Sequence, residues 1–304
     1  MRDLVFLFGA GASHGAGGIL PERPPLGSML YSELARLFPH SWGSLPADVA
    51  SALGENFESG MGVIFDRMGG SIPELMREMA VYFIQFRAVS DTCLYRRLLS
   101  DLRTQTLIGR ACFSTLNYEC VLDFEILAAS QQLNYFDPPD ADRVPLWKLH
   151  GSCNMFAKDV QATHGVFYGT GVTFEGGIEA FLDTNRVVER CLVETALAPV
   201  MSLYMKGKPL NVSPSAVLAV QQIWAHAVDD ARVVVVLGVR PWRADGHIWG
   251  PLGKTRSPLL FIGNEPELKS WAATDRAGPI EIIGSRFRDS YDHLIRRIAS
   301  YVVD

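Results

Sequence analysis

The chain has 304 residues, of which 48% are hydrophobic and 20% charged, a composition typical of a soluble globular protein. Its formal net charge of −5 excludes a general attraction to nucleic acid or acidic membranes, and no run approaches the ~18 apolar residues of a membrane span. The five cysteines include no CxxC pair, which excludes a zinc ribbon and a disulfide framework, so we expect a cytoplasmic protein without zinc.

The first predicted strand is the unbroken apolar run Leu4–Phe8, a pattern typical of a strand buried on both faces of a parallel sheet. The small residues Gly9 to Ser13 follow it directly. A strand, a glycine turn and a helix start bring free backbone N–H groups and a helix dipole to one point, which indicates a phosphate site. Ser13 is expected to cap the helix and to offer its hydroxyl to the ligand. The alternative is a tight turn without a ligand.

The spacing of this loop differs from the dinucleotide fingerprint GxGxxG. With Gly9 and Gly11 as the first two glycines, the third is expected at the position of His14. No acidic residue ends a second strand ~20 residues further on, since Glu33 lies in a predicted helix. The loop therefore indicates a nucleotide phosphate, but not the ordinary dehydrogenase geometry.

Strands and helices alternate along most of the chain. Helical patterning dominates from about 26 to 102, which we interpret as a helical insertion. Strands are predicted at 110–114, 146–149, 233–237, 259–262 and 280–283, and helices at 119–132, 183–205, 213–229 and 289–302. This order predicts an α/β fold, a Rossmann-like doubly wound parallel sheet, as one domain over 1–304 with a second insertion at about 155–215.

Five predicted strands end in small or polar residues. These ends are Gly9–Ser13, Thr115–Glu119, His150–Ser152, Gly238–Asp245 and Gly263–Asn264. In doubly wound sheets, ligands bind beyond the carboxyl ends of the strands. Five such ends at one edge of a sheet indicate a nucleotide crevice.

The segments GAGAS, TLNYE, KLHGS, a glycine after the Val-rich strand, and IGN occur in the order of the sirtuin motifs. Over roughly residues 3–284 the chain resembles that family, in particular the bacterial sirtuin-like branch of anti-phage defence, whose members hydrolyse NAD⁺. The resemblance implies that Asn117 and His150 are catalytic. It also implies that Gly9, Gly11 and Ser13 surround the pyrophosphate of NAD⁺ and that Asn264 binds the adenosine ribose. The full set of residues that it implies for NAD⁺ is Gly9, Ala10, Gly11, Ser13, Thr115, Glu119, Gly238 and Asn264.

Three features depart from the sirtuin pattern. Glu119 stands where an aspartate is expected and is one methylene longer, which affects its implied contact with the nicotinamide carboxamide. Val239, Arg240 and Pro241 follow Gly238 where a serine is expected. The paired-cysteine zinc module of deacylating sirtuins is missing.

The chemistry of the two catalytic candidates agrees with cleavage of the nicotinamide–ribose bond. That reaction passes through an oxocarbenium-like state, and its cationic leaving group requires no strong general acid. Asn117 has a donor and an acceptor with which to fix a ribose hydroxyl and orient a water. His150 titrates near neutrality and can take a proton. The alternatives are that Asn117 caps the following helix and that His150 is structural.

We therefore expect an NAD⁺ glycohydrolase that releases nicotinamide and ADP-ribose in anti-phage defence. The alternatives are an NAD-dependent protein deacylase and a non-catalytic subunit that binds NAD or ADP-ribose. Because draining NAD⁺ would poison the cell, we expect gating by homo-oligomerisation or by a partner such as an ATPase or an Argonaute-like sensor. The helical insertion from 26 to 102 is expected to form that contact, because it lies outside the predicted sheet and carries apolar residues such as Trp42, Phe57 and Phe65. We expect no membrane association and no direct sequence-specific binding of nucleic acid.

Overall fold

The computed structural model describes residues 3–69, 71–129, 131–140, 142–162, 173–205 and 209–302. Its strands are β1 (Leu4–Phe8), β2 (Ile19–Leu20), β3 (Arg87–Ala88), β4 (Ala111–Thr115), β5 (Gln132–Asn134), β6 (Arg143–Lys148), β7 (Met155–Ala162), β8 (Phe174–Ala180), β9 (Val233–Leu237), β10 (Leu259–Ile262) and β11 (Ile280–Gly284). Its α-helices are α1 (Ala10–Ala16), α2 (Gly27–Leu37), α3 (Ala47–Glu55), α4 (Phe57–Arg67), α5 (Pro73–Phe83), α6 (Leu94–Thr104), α7 (Val121–Ala128), α8 (Thr184–Val193), α9 (Pro214–Asp230), α10 (Gly246–Lys254), α11 (Glu265–Asp275) and α12 (Phe287–Val302).

Seven strands form one parallel sheet in the order β11-β10-β9-β1-β4-β6-β5. The chain first adds strands on one side of β1 and then crosses to the other side, so the winding reverses between β1 and β9. This architecture confirms the predicted Rossmann-like, doubly wound α/β fold. Strands β1, β9 and β10 have the predicted bounds, whereas the short edge strand β5 is absent from the prediction.

The side chains of β1 alternate between two cores because successive residues of a strand point to opposite faces. Leu4, Phe6 and Phe8 pack on the face covered by α1, α6 and α12. Val5 and Leu7 pack on the other face, against the tryptophans of α9, α10 and α11. The five residues are fully buried, which explains why β1 is apolar throughout rather than alternating.

Helices α2 to α6 lie between β2 and β4, in the region of helical patterning. The reason given for a contact surface on this insertion is wrong for Trp42, Phe57 and Phe65, because these residues are only 0%, 2% and 4% exposed. They form the core of this helical region, where Trp42 stacks on Phe57. Apolar patterning at helical spacing identifies a buried face, and it does not tell whether the chain or a partner covers that face.

The region of the second predicted insertion contains the antiparallel pair β7–β8 and the helix α8. The helix predicted at 183–205 is too long, since α8 ends at Val193 and the chain then turns through Pro199. Residues 163–172 and 206–208 of the predicted insertion lie outside the described residues. Within the described ranges, no helix combines the length and apolar character needed to cross a membrane.

Candidate functional site

Two glycine turns meet where the winding of the sheet reverses. Gly238 ends β9 with φ +62°, and a Cβ there would lie 2.1 Å from the backbone nitrogen of Ala12. A Cβ on Gly11 would lie 3.0 Å from the Cα of Gly238, and the Gly11 N–H donates to the Gly238 carbonyl at 3.1 Å. These glycines therefore allow the turns after β1 and β9 to touch. Ala10, the first residue of α1, is exposed at this turn.

The predicted capping role of Ser13 is wrong. Helix α1 begins at Ala10 with Gly9 as its N-cap, so Ser13 is the fourth helical residue and lies too far along the helix to cap it. Its side chain is buried, 1% exposed, and points toward β4. Ser13 thus connects the glycine turn to the loop after β4.

Ser13, Tyr95, Asn117 and Glu119 form a closed set of hydrogen bonds, here called the polar cluster. The Ser13 hydroxyl donates to Glu119 Oε1 at 2.6 Å and accepts from Asn117 Nδ2 at 2.8 Å. The remaining bond, 2.7 Å to the Tyr95 hydroxyl, must be donated by Tyr95, because Ser13 has given its only proton to the carboxylate. Burial raises the pKa of Tyr95 well above its ordinary value, and the Glu119 carboxylate adds to this, so Tyr95 keeps its proton. Ser13 therefore has no hydrogen-bonding capacity left.

The same bonds determine which way the Asn117 amide faces. Its Nδ2 lies 3.1 Å from the carbonyl of Gly9 and 3.1 Å from Glu119 Oε1. Both atoms only accept hydrogen bonds, so the amine end of the amide must point toward them. No described residue donates to the opposite atom, Oδ1, which is left as an acceptor. Asn117 does not cap α7, whose N-cap is Cys120, so that alternative is excluded.

Glu119 accepts hydrogen bonds on both carboxylate oxygens and on its backbone carbonyl. Its Oε2 accepts from the N–H of Val121, the first residue of α7, at 2.6 Å, and its carbonyl accepts from Lys148 Nζ at 2.8 Å. Lys148 also forms a buried ion pair with Asp123 at 2.8 Å. Burial alone would lower the pKa of Lys148, but the charge of Asp123 raises it above its ordinary value, so Lys148 is charged.

The loops that carry the two catalytic candidates leave neighbouring strands at the same level. Thr115 at the end of β4 pairs with Lys148 at the end of β6, and the Leu149 N–H donates to the Thr115 carbonyl at 3.1 Å. Asn117 and His150 each lie two residues beyond this pair. Thr115 also accepts the Asn117 N–H on its side-chain oxygen at 3.0 Å, which sets the start of the loop.

His150 contacts a second histidine. Its Nε2 lies 2.9 Å from Nε2 of His247, the second residue of α10, and the two rings are tilted by 54°. His150 is 4% exposed, whereas His247 is half-buried. We call these two residues the histidine pair.

Cys153, the thiol close to His150 in sequence, is not placed to act as a nucleophile. It is fully buried with its Sγ 3.7 Å from Cys120 Sγ. Burial raises the pKa of the Cys153 thiol well above its usual value, and Cys120 raises it further, so the thiol stays protonated and unreactive. Within the described ranges, no group of three or more His, Cys, Asp or Glu side chains is placed to hold a metal ion.

Asn264 lies further along the same sheet edge. It is exposed, and its side-chain oxygen caps α11 by accepting from the Glu267 N–H at 3.3 Å. Beside it, the segment after β9 and helix α11 enclose a cleft of about 330 Å³. The cleft is lined by Arg240, Pro241, Trp242, Arg243, Ala244, Glu267, Ser270 and Trp271.

No protein-family model and no curated protein matches the chain. Among solved structures, it is similar to SIR2 in complex with the inhibitor EX-527, 2′-O-acetyl-ADP-ribose and a deacetylated p53 peptide, with 13% identity and a TM-score of 0.43 over 98% of this chain and 93% of that one. It is also similar to two mutants of a Sir2 homologue in complexes with ADP-ribose, with 15% and 13% identity, TM-scores of 0.48 and 0.43, and coverage of 98% of this chain and 92% of each of theirs. At these identities the likeness concerns the fold alone.

Three residues of the site were missed by the sequence analysis. Tyr95 comes from α6 in the helical insertion, and nothing in its local pattern distinguishes it from a core aromatic residue. His247 lies two residues beyond the predicted strand end Gly238–Asp245, and Lys148 lies within the predicted strand 146–149. Each depends on a contact between segments far apart in the sequence, which no local motif reports.

Proposed function

We propose that this chain is an NAD⁺ glycohydrolase that cleaves the nicotinamide–ribose bond at the carboxyl edge of its sheet. The observation that carries the proposal is the placement of Asn117 and His150 at the same level on neighbouring strands, beside the glycine turns after β1 and β9. This is the position where ligands bind in doubly wound sheets. The order of the sirtuin-like motifs along the chain supports NAD⁺ as that ligand.

In the proposed reaction, the protein positions the substrate rather than activating a strong acid. The exposed turn at Ala10, at the start of α1, receives the pyrophosphate. Asn117 Oδ1, aimed by the polar cluster, accepts from a ribose hydroxyl or from the attacking water. His150 takes the proton that this water releases. The leaving nicotinamide is neutral once its bond to the ribose breaks, so it needs no proton from the protein.

The proposal is tested by incubating the purified chain with NAD⁺ and separating the products by chromatography, with and without an acylated peptide. A glycohydrolase releases nicotinamide and ADP-ribose in equal amounts without the peptide. If nicotinamide appears only with the peptide and O-acyl-ADP-ribose accompanies it, the chain is a deacylase instead.

A non-catalytic NAD-binding or ADP-ribose-binding subunit is the second candidate. The closed bonding of the polar cluster favours it, because Ser13 and Glu119 are bonded to other protein groups and not directed toward a ligand. Calorimetry with NAD⁺ and with ADP-ribose distinguishes the two functions. Tight binding of NAD⁺ that survives unchanged after long incubation, with no nicotinamide released, identifies a binding subunit.

We further propose that the activity serves anti-phage defence and is gated by assembly, either of this chain with itself or with a separate sensor. The reason is chemical: a constitutive NAD⁺ hydrolase removes a metabolite that its own cell requires. Mass photometry, run in parallel with the product assay, tests this. A monomer with full constitutive activity contradicts gating and leaves the glycohydrolase assignment standing.

A further inference from the structure

The histidine pair restricts where protons can lie. At 2.9 Å, the two Nε2 atoms form one hydrogen bond, so one ring donates and the other accepts. Protonating both Nε2 atoms would place two N–H groups head to head, so one proton at most lies between them. The state of one ring therefore determines the state of the other, and the two titrate as a unit.

The two rings differ in their access to solvent. His150 is 4% exposed and stands at the end of β6, whereas His247 is half-buried at the start of α10. The nearly buried ring of His150 is therefore held by a hydrogen bond to a ring that lies nearer the surface.

We propose that His247 is the positioning residue of His150, an inference that rests on the proposed glycohydrolase function. The bond between the two Nε2 atoms holds the His150 ring in one orientation toward the attacking water. His150 takes up the proton that this water releases and gives it to solvent once the products leave, so both rings return to their starting protonation. Each turnover releases one proton, as hydrolysis of NAD⁺ to nicotinamide and ADP-ribose requires.

Two substitutions separate this role from packing. His247→Phe keeps an aromatic ring but loses the nitrogen, whereas His247→Gln loses the ring but keeps an amide that reaches the position of Nε2. We expect His247→Phe to lower kcat by about 10²-fold, the loss expected when a catalytic group is misplaced, with a smaller change in KM. His247→Gln should retain more activity than His247→Phe, because it still holds the His150 ring. His226→Phe, at an exposed histidine of α9, is the matched control.

A second experiment measures coupling between the two residues. If His247 acts through His150, His247→Phe should lower kcat in the native background and change it little in the His150→Ala background. ¹⁵N NMR of the imidazole nitrogens provides a readout without turnover. The pair predicts that the His150 signals titrate together with those of His247, and that His247→Gln abolishes this coupling.

The outcomes distinguish the two proposals. Native protein that releases no nicotinamide overturns the glycohydrolase function and with it the role of the pair, whatever the NMR shows. Native protein that hydrolyses NAD⁺, with His247→Phe at native kcat or with independent titration of the two rings, overturns only the role of His247.

Discussion

The polar cluster and the histidine pair lie at neighbouring strand ends but are built in opposite ways. In the polar cluster, Ser13 has no donor or acceptor left and Glu119 is bonded through both carboxylate oxygens, so its groups hold one another in place. The histidine pair is joined by a single bond in which a proton can move. Under the proposed function, the polar cluster positions the substrate and His150 of the histidine pair takes up the proton.

The largest expected effect is on the histidine pair. His150→Ala removes the proposed proton acceptor and should lower kcat by ~10²–10⁴-fold, the usual contribution of a general base. The measurement is the initial rate of nicotinamide release, normalised to folded protein by circular dichroism. His226→Ala should match the native rate. A folded His150→Ala protein with native kcat would remove His150 from the mechanism.

The next largest effect is expected on stability, at Lys148, which connects Glu119 of the polar cluster to the strand that leads to His150. Lys148→Met removes the cation that is bonded to Asp123 and to the carbonyl of Glu119. It leaves a buried carboxylate without its counter-charge, and we expect a loss of about 3–5 kcal/mol in the free energy of unfolding. Urea denaturation measures this change. Lys254→Met, at an exposed lysine, should change stability by less than about 0.5 kcal/mol, and equal effects would contradict the assignment.

Ala10 offers a test of the glycine turn that does not disturb the fold. Gly11→Val is unsuitable, because the new side chain would collide with Gly238 whether or not a ligand binds there. Ala10 is exposed at the start of α1, where an acidic residue is favourable to the helix but repels a pyrophosphate. Ala10→Asp should therefore keep its Tm and raise KM for NAD⁺ roughly tenfold. Ala10→Asn is the uncharged control, and the same KM for both variants would place the pyrophosphate elsewhere.

The smallest effect is expected within the polar cluster. Tyr95→Phe removes one donor to Ser13 and leaves its other bonds intact. We expect a loss of about 1 kcal/mol in stability and less than a tenfold loss in kcat. Tyr291→Phe, which loses a hydroxyl bonded to Asp101, is a comparable control for stability. A drop in kcat as large as that of His150→Ala would mean that the polar cluster takes part in the chemistry directly.

The sequence predicts the sheet and the residues at its strand ends, but it does not predict the contacts that form between different strand ends. Unbroken apolar runs such as Leu4–Phe8 predict buried parallel strands because both faces are covered. Gly11 and Gly238 are predicted to follow buried strands, but their contact with each other can be predicted only once the order of the strands in the sheet is known. The capping role predicted for Ser13 is wrong because the sequence locates the start of a helix only to within a few residues. Helix α1 begins three residues before Ser13, so Ser13 is a buried hydrogen-bond donor rather than the cap.

The account is tested most directly by mixing NAD⁺ labelled in its nicotinamide with native protein and with Asn117→Ala, and measuring both bound nucleotide and released nicotinamide. Asn134→Ala, at a buried asparagine of β5 that bonds only to neighbouring backbone, is the matched control. We predict that native protein and Asn134→Ala release nicotinamide, and that Asn117→Ala binds NAD⁺ but releases nicotinamide at least about 10²-fold more slowly. Equal release by native protein and a folded Asn117→Ala variant, or no release by native protein, would contradict the central claim.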